Sequence, residues 1–244
     1  MSVYQPKLKK YIATVQKYCD PLEKHGGNYA IFSDNVVVYI PADLENLSRI
    51  IKVCSHLLYE LITLEIPIRG AISYGFIEND EKQENQIISG KPVIDAYQHE
   101  QKQNWIGMII SPHVNLEKDY YVYLKFNSGF ELSSEESDLL SSTKRSDISL
   151  FLSHGVVPIT GRKVDAMTSF NAFRIHPFPD LTEISSQRVN DQYQVLCKHL
   201  KSTIATLAYL RDCSSKHQVK YQNTLDFLLH NLEKELHNRL KALK

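Results

Sequence analysis

Residues 29–40, YAIFSDNVVVYI, decide the fold. Two runs of β-branched and aromatic residues flank Ser33-Asp34-Asn35, and an Asp-Asn pair tolerates positive φ. The stretch therefore predicts a tight hairpin with Asp34 at its tip. Upstream, Leu8, Ile12, Val15 and Cys19 share one helical stripe, ended by Pro21 and the Gly26-Gly27 pair. Downstream, Asp43 is a good N-cap, and Leu44, Leu47, Ile51, Cys54, Leu58, Leu61 and Ile62 recur at helical spacing as far as Leu64. Such a helix lies across one face of a sheet.

The next signal is residues 66–75, IPIRGAISYG. Ile66, Ile68, Ile72 and Tyr74 alternate with Arg69, Ala71 and Ser73, predicting a strand with its apolar side on that helix and Arg69 on the other side. Asn79 to Glu84 reads as a charged turn and Gln86-Ile87-Ile88 as a short strand. Gly90 breaks the chain, Pro92 opens a helix through Ala96 and Glu100, and Trp105 to Ile110 reads as a buried strand. The order α-β-β-α-β-β-α-β predicts an α+β fold, a ferredoxin-like palm with helices on one face of an antiparallel sheet.

Farther on, Tyr120 to Phe126 is expected as a strand and Glu131 to Ser149, rich in Ser, Glu and Asp, as a mobile loop. Val156 to Thr160 and Ala172 to His176 are expected strands. Ser186 to Arg211 and Ser215 to Ala242 are expected as a C-terminal helical hairpin, with Leu225, Leu228, Leu229, Leu232 and Leu236 as the apolar stripe of the second helix. The expected division is a palm at 1–126, an irregular region at 127–184 and a helical extension at 185–244.

Composition excludes several classes. The chain has 244 residues, and 28 Lys and Arg balance 28 Asp and Glu, so no accumulated positive charge argues for a nucleic-acid partner. No apolar run approaches the ~20 residues that cross a bilayer, and the start alternates apolar and cationic residues rather than forming a signal core. A cytoplasmic protein without a membrane partner is expected. Cys19, Cys54, Cys197 and Cys213 are scattered, with neither a CxxC pair nor a His at ligand spacing, so neither a disulfide framework nor a zinc site is supported. There is no internal repeat and no glycine-rich phosphate loop of the Walker or Rossmann kind.

A carboxylate at a hairpin tip and an Arg on a later strand form an arrangement that can hold a metal-bound phosphate. Three segments, FSDNVVVYI (32–40), IPIRGAISYG (66–75) and SGKPVIDAYQHE (89–100), resemble in order and separation the catalytic palm of class III nucleotidyl cyclases. They are more similar to the divergent bacterial cyclase-like proteins that include the pyrimidine cyclases of antiphage signalling. The resemblance covers roughly residues 8 to 126. It implies that the 3′-hydroxyl of a nucleoside triphosphate attacks its own α-phosphorus and expels pyrophosphate, assisted by Mg²⁺ or Mn²⁺ held by two Asp residues. It further implies a homodimer with its site between subunits.

Carried over residue by residue, the resemblance makes Asp34 the catalytic metal ligand. It makes Ser33, Arg69, Lys91 and Gln98 candidate substrate contacts. The family's other Asp ends the first strand of the palm, and nothing here matches it; Asp20 follows a helix and precedes Pro21. The Asn and Arg that purine cyclases carry on the helix are here Ile94 and Gln98, so purine cyclase activity is not expected, and the chain as written is expected to be inactive or impaired. Three sources for the absent strand are open: a segment upstream of Met1, which is the favoured one, a downstream strand such as Val156 to Thr160, or a partner chain. The rival reading is a degenerate palm that binds a nucleotide or protein partner without turnover.

The residues alone leave plainer roles open. Asp34 is also a preferred turn residue, Arg69 has Glu60 and Glu65 as potential ion-pair partners, and Lys91 and Gln98 are ordinary surface types for a helix.

Overall fold

The computed structural model describes residues 4–80, 87–111, 113–114, 119–120, 122, 132–141, 156–158, 173–175 and 189–229. Helix α1 spans Tyr4–Cys19 and continues into a short 3-10 helix, Asp20–His25, which stops at Gly26 with φ 74°. Strands β1 (Asn28–Phe32) and β2 (Asn35–Tyr39) then form the antiparallel hairpin, with Phe32 opposite Asn35 and a two-residue loop of Ser33 and Asp34. The residue that takes positive φ is Ser33, at 57°, rather than the Asp-Asn pair.

Helix α2, Leu44–Thr63, is capped as the sequence predicts: Asp43 Oδ1 accepts from the Asn46 amide at 2.7 Å and its Oδ2 from Asn46 Nδ2 at 2.8 Å. Replacing Asp43 with Ala removes both bonds around a buried Asn46. The expected loss is about 1–2 kcal/mol in urea unfolding, with Asp43→Ser retaining most of the cap.

Adjacent faces of α2 cover two separate strand groups. Val53, Leu57 and Leu61 pack with Tyr11, Val15 and Cys19 of α1 and with Ile31, Val36 and Val38 of the hairpin. Leu47, Ile51 and Leu58 pack instead on Ile72, Met108 and Ile110 of the second group. That group is a four-stranded sheet in the order β3-β6-β8-β7, formed by β3 (Gly70–Ile72), β6 (Met108–Ile110), β8 (Phe173–Ile175) and β7 (Val156–Pro158). A small hairpin of β4 (Glu78–Asp80) and β5 (Ile87–Ser89) and helix α3 (Lys91–Lys102) lie between β3 and β6 in sequence.

The architecture is mixed α+β, but the sheet differs from the expected antiparallel one. Strands β3 and β6 pair in parallel, Gly70 with Met108 through Ile72 with Ile110, because α3 returns the chain to the same end before β6 starts. Strand β8 pairs antiparallel with both β6 and β7.

Tyr120 and Val122 are helical, not extended, and Val122 is buried against the face of α2 that carries Leu47. The rest of that expected strand, like most of 127–184, lies outside the described residues. Part of the expected loop is helix α4, Ser134–Ser141, opened by a reciprocal cap in which the Ser133 amide donates to Glu136 and the Glu136 amide to Ser133 Oγ.

The C-terminal pair, α5 (Val189–Cys213) and α6 (218–229), shares a core with the rest of the molecule. Leu207, Tyr221, Leu225 and Leu228 bury against Ile62 of α2 and Ile106, just ahead of β6. Residues 230–242 of the expected second helix lie outside the described residues. Among the described residues no helix is long and apolar enough to cross a membrane.

Candidate functional site

A cavity of about 90 Å³ is lined by Val38, Ile40 and Asp43 after β2, by Ile72, Ser73 and Gly75 after β3, and by Asn46, Leu47 and Ile50 near the start of α2. The carboxyl ends of both strands thus meet near the amino end of one helix, and α2 is the connection between them. Among the described residues β2 pairs only with β1 and β3 only with β6. Strand β7 lies at the far edge of the sheet, beyond β8, and pairs with neither β2 nor β3.

Ser33 and Asp34 stand just ahead of β2 and Arg69 just ahead of β3, away from the strand ends that line this cavity. Asp34 is exposed at the hairpin tip, where its Oδ1 accepts from Asn35 Nδ2 at 3.2 Å. Its carbonyl accepts from the Tyr11 phenol at 3.4 Å. Tyr11 is buried in α1, and burial first, then the charge of Asp34, pushes its phenol up to about 12.

Arg69 has an internal set of partners that its spacing to Glu60 and Glu65 does not suggest. Its Nη2 lies 2.6 Å from Glu100 Oε1, and its Nη1 donates to the carbonyls of Gln103 at 3.2 Å and Glu100 at 3.4 Å. Cationic donors at the last carbonyls of α3 complement the negative end of that helix. A phosphate contact at Arg69 requires displacement of the Glu100 carboxylate.

Lys91 stands at the other end of α3 from Glu100 and its partner Arg69, whereas Gln98 lies two residues before Glu100. Lys91 opens α3 beside Pro92, which lines the cavity at the opposite end of the sheet, and pairs with Asp95. Nine residues of helix separate Lys91 from Glu100, or about 13 Å. Gln98 is exposed, as are Ile94 and Tyr97 on the same helix. Among the described residues no hydrogen bond or ion pair joins any two of Ser33, Asp34, Arg69, Lys91 and Gln98. Sequence reasoning missed Tyr11 and Glu100, although Glu100 closes the quoted segment 89–100 near a helix end.

The described residues do not fit a pair of divalent ions. Asp34 is a single carboxylate, and among the described residues no group of three or more His, Cys, Asp or Glu could hold a metal.

Burial also sets a pH limit on the core around the hairpin. It raises Cys19 and Cys54 from 9.0 to about 12, and Tyr11, Tyr18 and Tyr29 from 10.0 to about 12. These groups stay protonated in the folded chain at pH values where the unfolded chain ionises them. Stability from them is therefore complete below pH 9 and lost as pH rises toward 12. The midpoint of thermal unfolding is expected to hold level from pH 7 to 8.5 and to fall steadily above pH 9. A midpoint that rises in that interval contradicts the assignment.

Compared with protein families, with curated proteins and with solved structures, the chain matches none of them.

Proposed function

We propose that the palm-like part of this chain is a nucleotidyl-cyclase-like domain of the ferredoxin type, handling a nucleoside triphosphate at the end of the sheet that carries Asp34 and Arg69. One observation carries the reading: the carboxyl ends of β2 and β3 line one cavity at the start of α2, and Asp34 and Arg69 each stand just ahead of these two strands. A palm has its first strand between two such strands, and that strand ends in the second acidic ligand. The activity is cyclisation, in which the 3′-oxygen bonds to the α-phosphorus, the bond from that phosphorus to pyrophosphate breaks and the hydroxyl proton is released. Asp34 supplies one carboxylate, the Ser33 hydroxyl lies beside it, and Arg69 fixes the neighbouring strand end or, once freed from Glu100, meets phosphate. Since one carboxylate does not organise Mg²⁺ or Mn²⁺, turnover by this chain alone is impaired. The proposed active form is a homodimer.

The test is incubation of the purified chain with each of the four ribonucleoside triphosphates and Mn²⁺, with products followed by mass spectrometry beside Asp34→Ala. A small yield of cyclic nucleotide with equal pyrophosphate, lost in the variant, is expected. The single carboxylate also favours a second reading, a palm that binds nucleotide without turnover. Calorimetric binding with no product identifies that one, and the absence of binding for all four nucleotides overturns both.

A further inference from the structure

We propose that α6 is a clamp on the sheet end that carries Arg69, acting through Trp105 and Gln103, so that docking and undocking of this helix set the geometry of that end. This inference does not rest on the cyclase reading. The chain of contacts begins on α6. Thr224 Oγ1 accepts from the Ile106 amide at 2.8 Å, and Asn223 Nδ2 donates to the Asn104 carbonyl at 2.7 Å. Between these two bonds the Trp105 indole meets the Phe227 ring edge-on, with centroids 5.0 Å apart. The segment 104–106 is therefore held by α6 on both sides of the indole.

The contacts then pass inward. Trp105 Nε1 donates to Gln103 Oε1 at 2.8 Å, and Gln103 Nε2 donates to the Gly70 carbonyl at 2.7 Å. The Gln103 carbonyl accepts from Arg69, which is paired with Glu100, and the Gly70 amide donates to the Gly107 carbonyl at 3.1 Å. Trp105 is 1% exposed and Gln103 2%. A buried amide with both ends engaged transmits a displacement of one partner to the other, because leaving either end unsatisfied is costly. Lys220 of α6 is near enough for the Arg69 charge to help lower its ammonium pKa, after burial, while Glu100 opposes.

Trp105 is the only tryptophan in the chain, so its emission reports the docking of α6 directly. The experiment compares the full chain with Thr224→Val, which keeps the shape and removes the hydroxyl, and with Thr224→Ser, which restores it. Trp105 emission and amide hydrogen exchange are read together. In Thr224→Val a red shift is expected, with exchange at Gly70 faster by about tenfold or more and the β1–β2 hairpin amides unchanged. Thr224→Ser is expected to return both signals toward the original. Asn223→Ala, removing the other anchor, gives the same pattern if Thr224→Val does not fold. Equal acceleration at Gly70 and the hairpin overturns the clamp, as does a red shift with Gly70 exchange unaltered, or no change in either signal.

Discussion

Arg69→Ala is expected to lose about 2–4 kcal/mol of stability in urea unfolding, because it leaves the largely covered Glu100 without its cation. The side chains of Arg69 and Glu100 are only 23% and 18% exposed, so solvent screens the pair weakly. Arg69 also closes the end of α3 through the carbonyls of Glu100 and Gln103, which no smaller residue reaches. Arg69→Lys keeps the charge but not the fork that serves carboxylate and carbonyls together, and is expected to recover less than half of the loss. A double-mutant cycle with Glu100→Gln separates the pair from the carbonyl contacts. Near-additive effects would mean that the carbonyls, not the ion pair, hold Arg69. A loss below about 1 kcal/mol for Arg69→Ala would place this pair with ordinary surface ion pairs and remove the structural role given to it here.

Gly90→Ala is expected to cost about 3 kcal/mol, for two reasons that act together. Gly90 has φ 139°, a conformation that side chains rarely adopt. A Cβ there would stand 2.5 Å from the Phe76 carbonyl oxygen and 3.2 Å from the Ile77 Cα, both backbone atoms that cannot rotate aside. Either the segment 76–77 moves away or the start of α3 shifts. Gly70→Ala is the internal control: its Cβ would meet the flexible Met108 side chain at 3.4 Å. Its cost is expected to stay within about 1 kcal/mol, since the lost backbone freedom of Gly in the unfolded chain offsets a mild contact. Equal costs for the two variants would show that the close approach at Gly90 relaxes freely.

The elements that were legible in the sequence are those set by local chemistry. The hairpin is marked by two β-branched runs around a polar pair, α2 by Asp43 and seven apolar positions at helical spacing, and α3 by Gly90 and Pro92. The pairing of strands was not legible, because it depends on contacts distant in the chain. Nothing near Met108 says that β6 lies parallel to β3 and carries β8 on its other side. Helix α4 was legible and misread: the spacing of Ser133 and Glu136 is a capping box, which outweighs the Ser-rich composition around it. At Tyr120 and Val122 aromatic and β-branched residues suggested a strand, but burial against α2 is equally open to a helix.

The candidate site was legible in part. Asp34 stands at the hairpin tip as its turn chemistry predicts, just ahead of β2, and Arg69 stands just ahead of β3. The partners of Arg69 were not readable, since Glu60 and Glu65 are nearer in sequence and both are engaged by α1, through Lys17 and Lys7. Lys91 was grouped with Asp34 by motif order alone; it stands at the end of α3 away from Arg69.

The most direct measurement of the central claim is a nucleotide titration of the isotope-labelled chain followed by amide chemical shifts. The account predicts that the largest shifts fall on Ser33, Asp34, Asn35 and Gly70, and that Asp34→Ala weakens the response. Shifts gathered at Lys91, Asp95 and Gln98 instead, or no shift with any of the four ribonucleoside triphosphates, would contradict it.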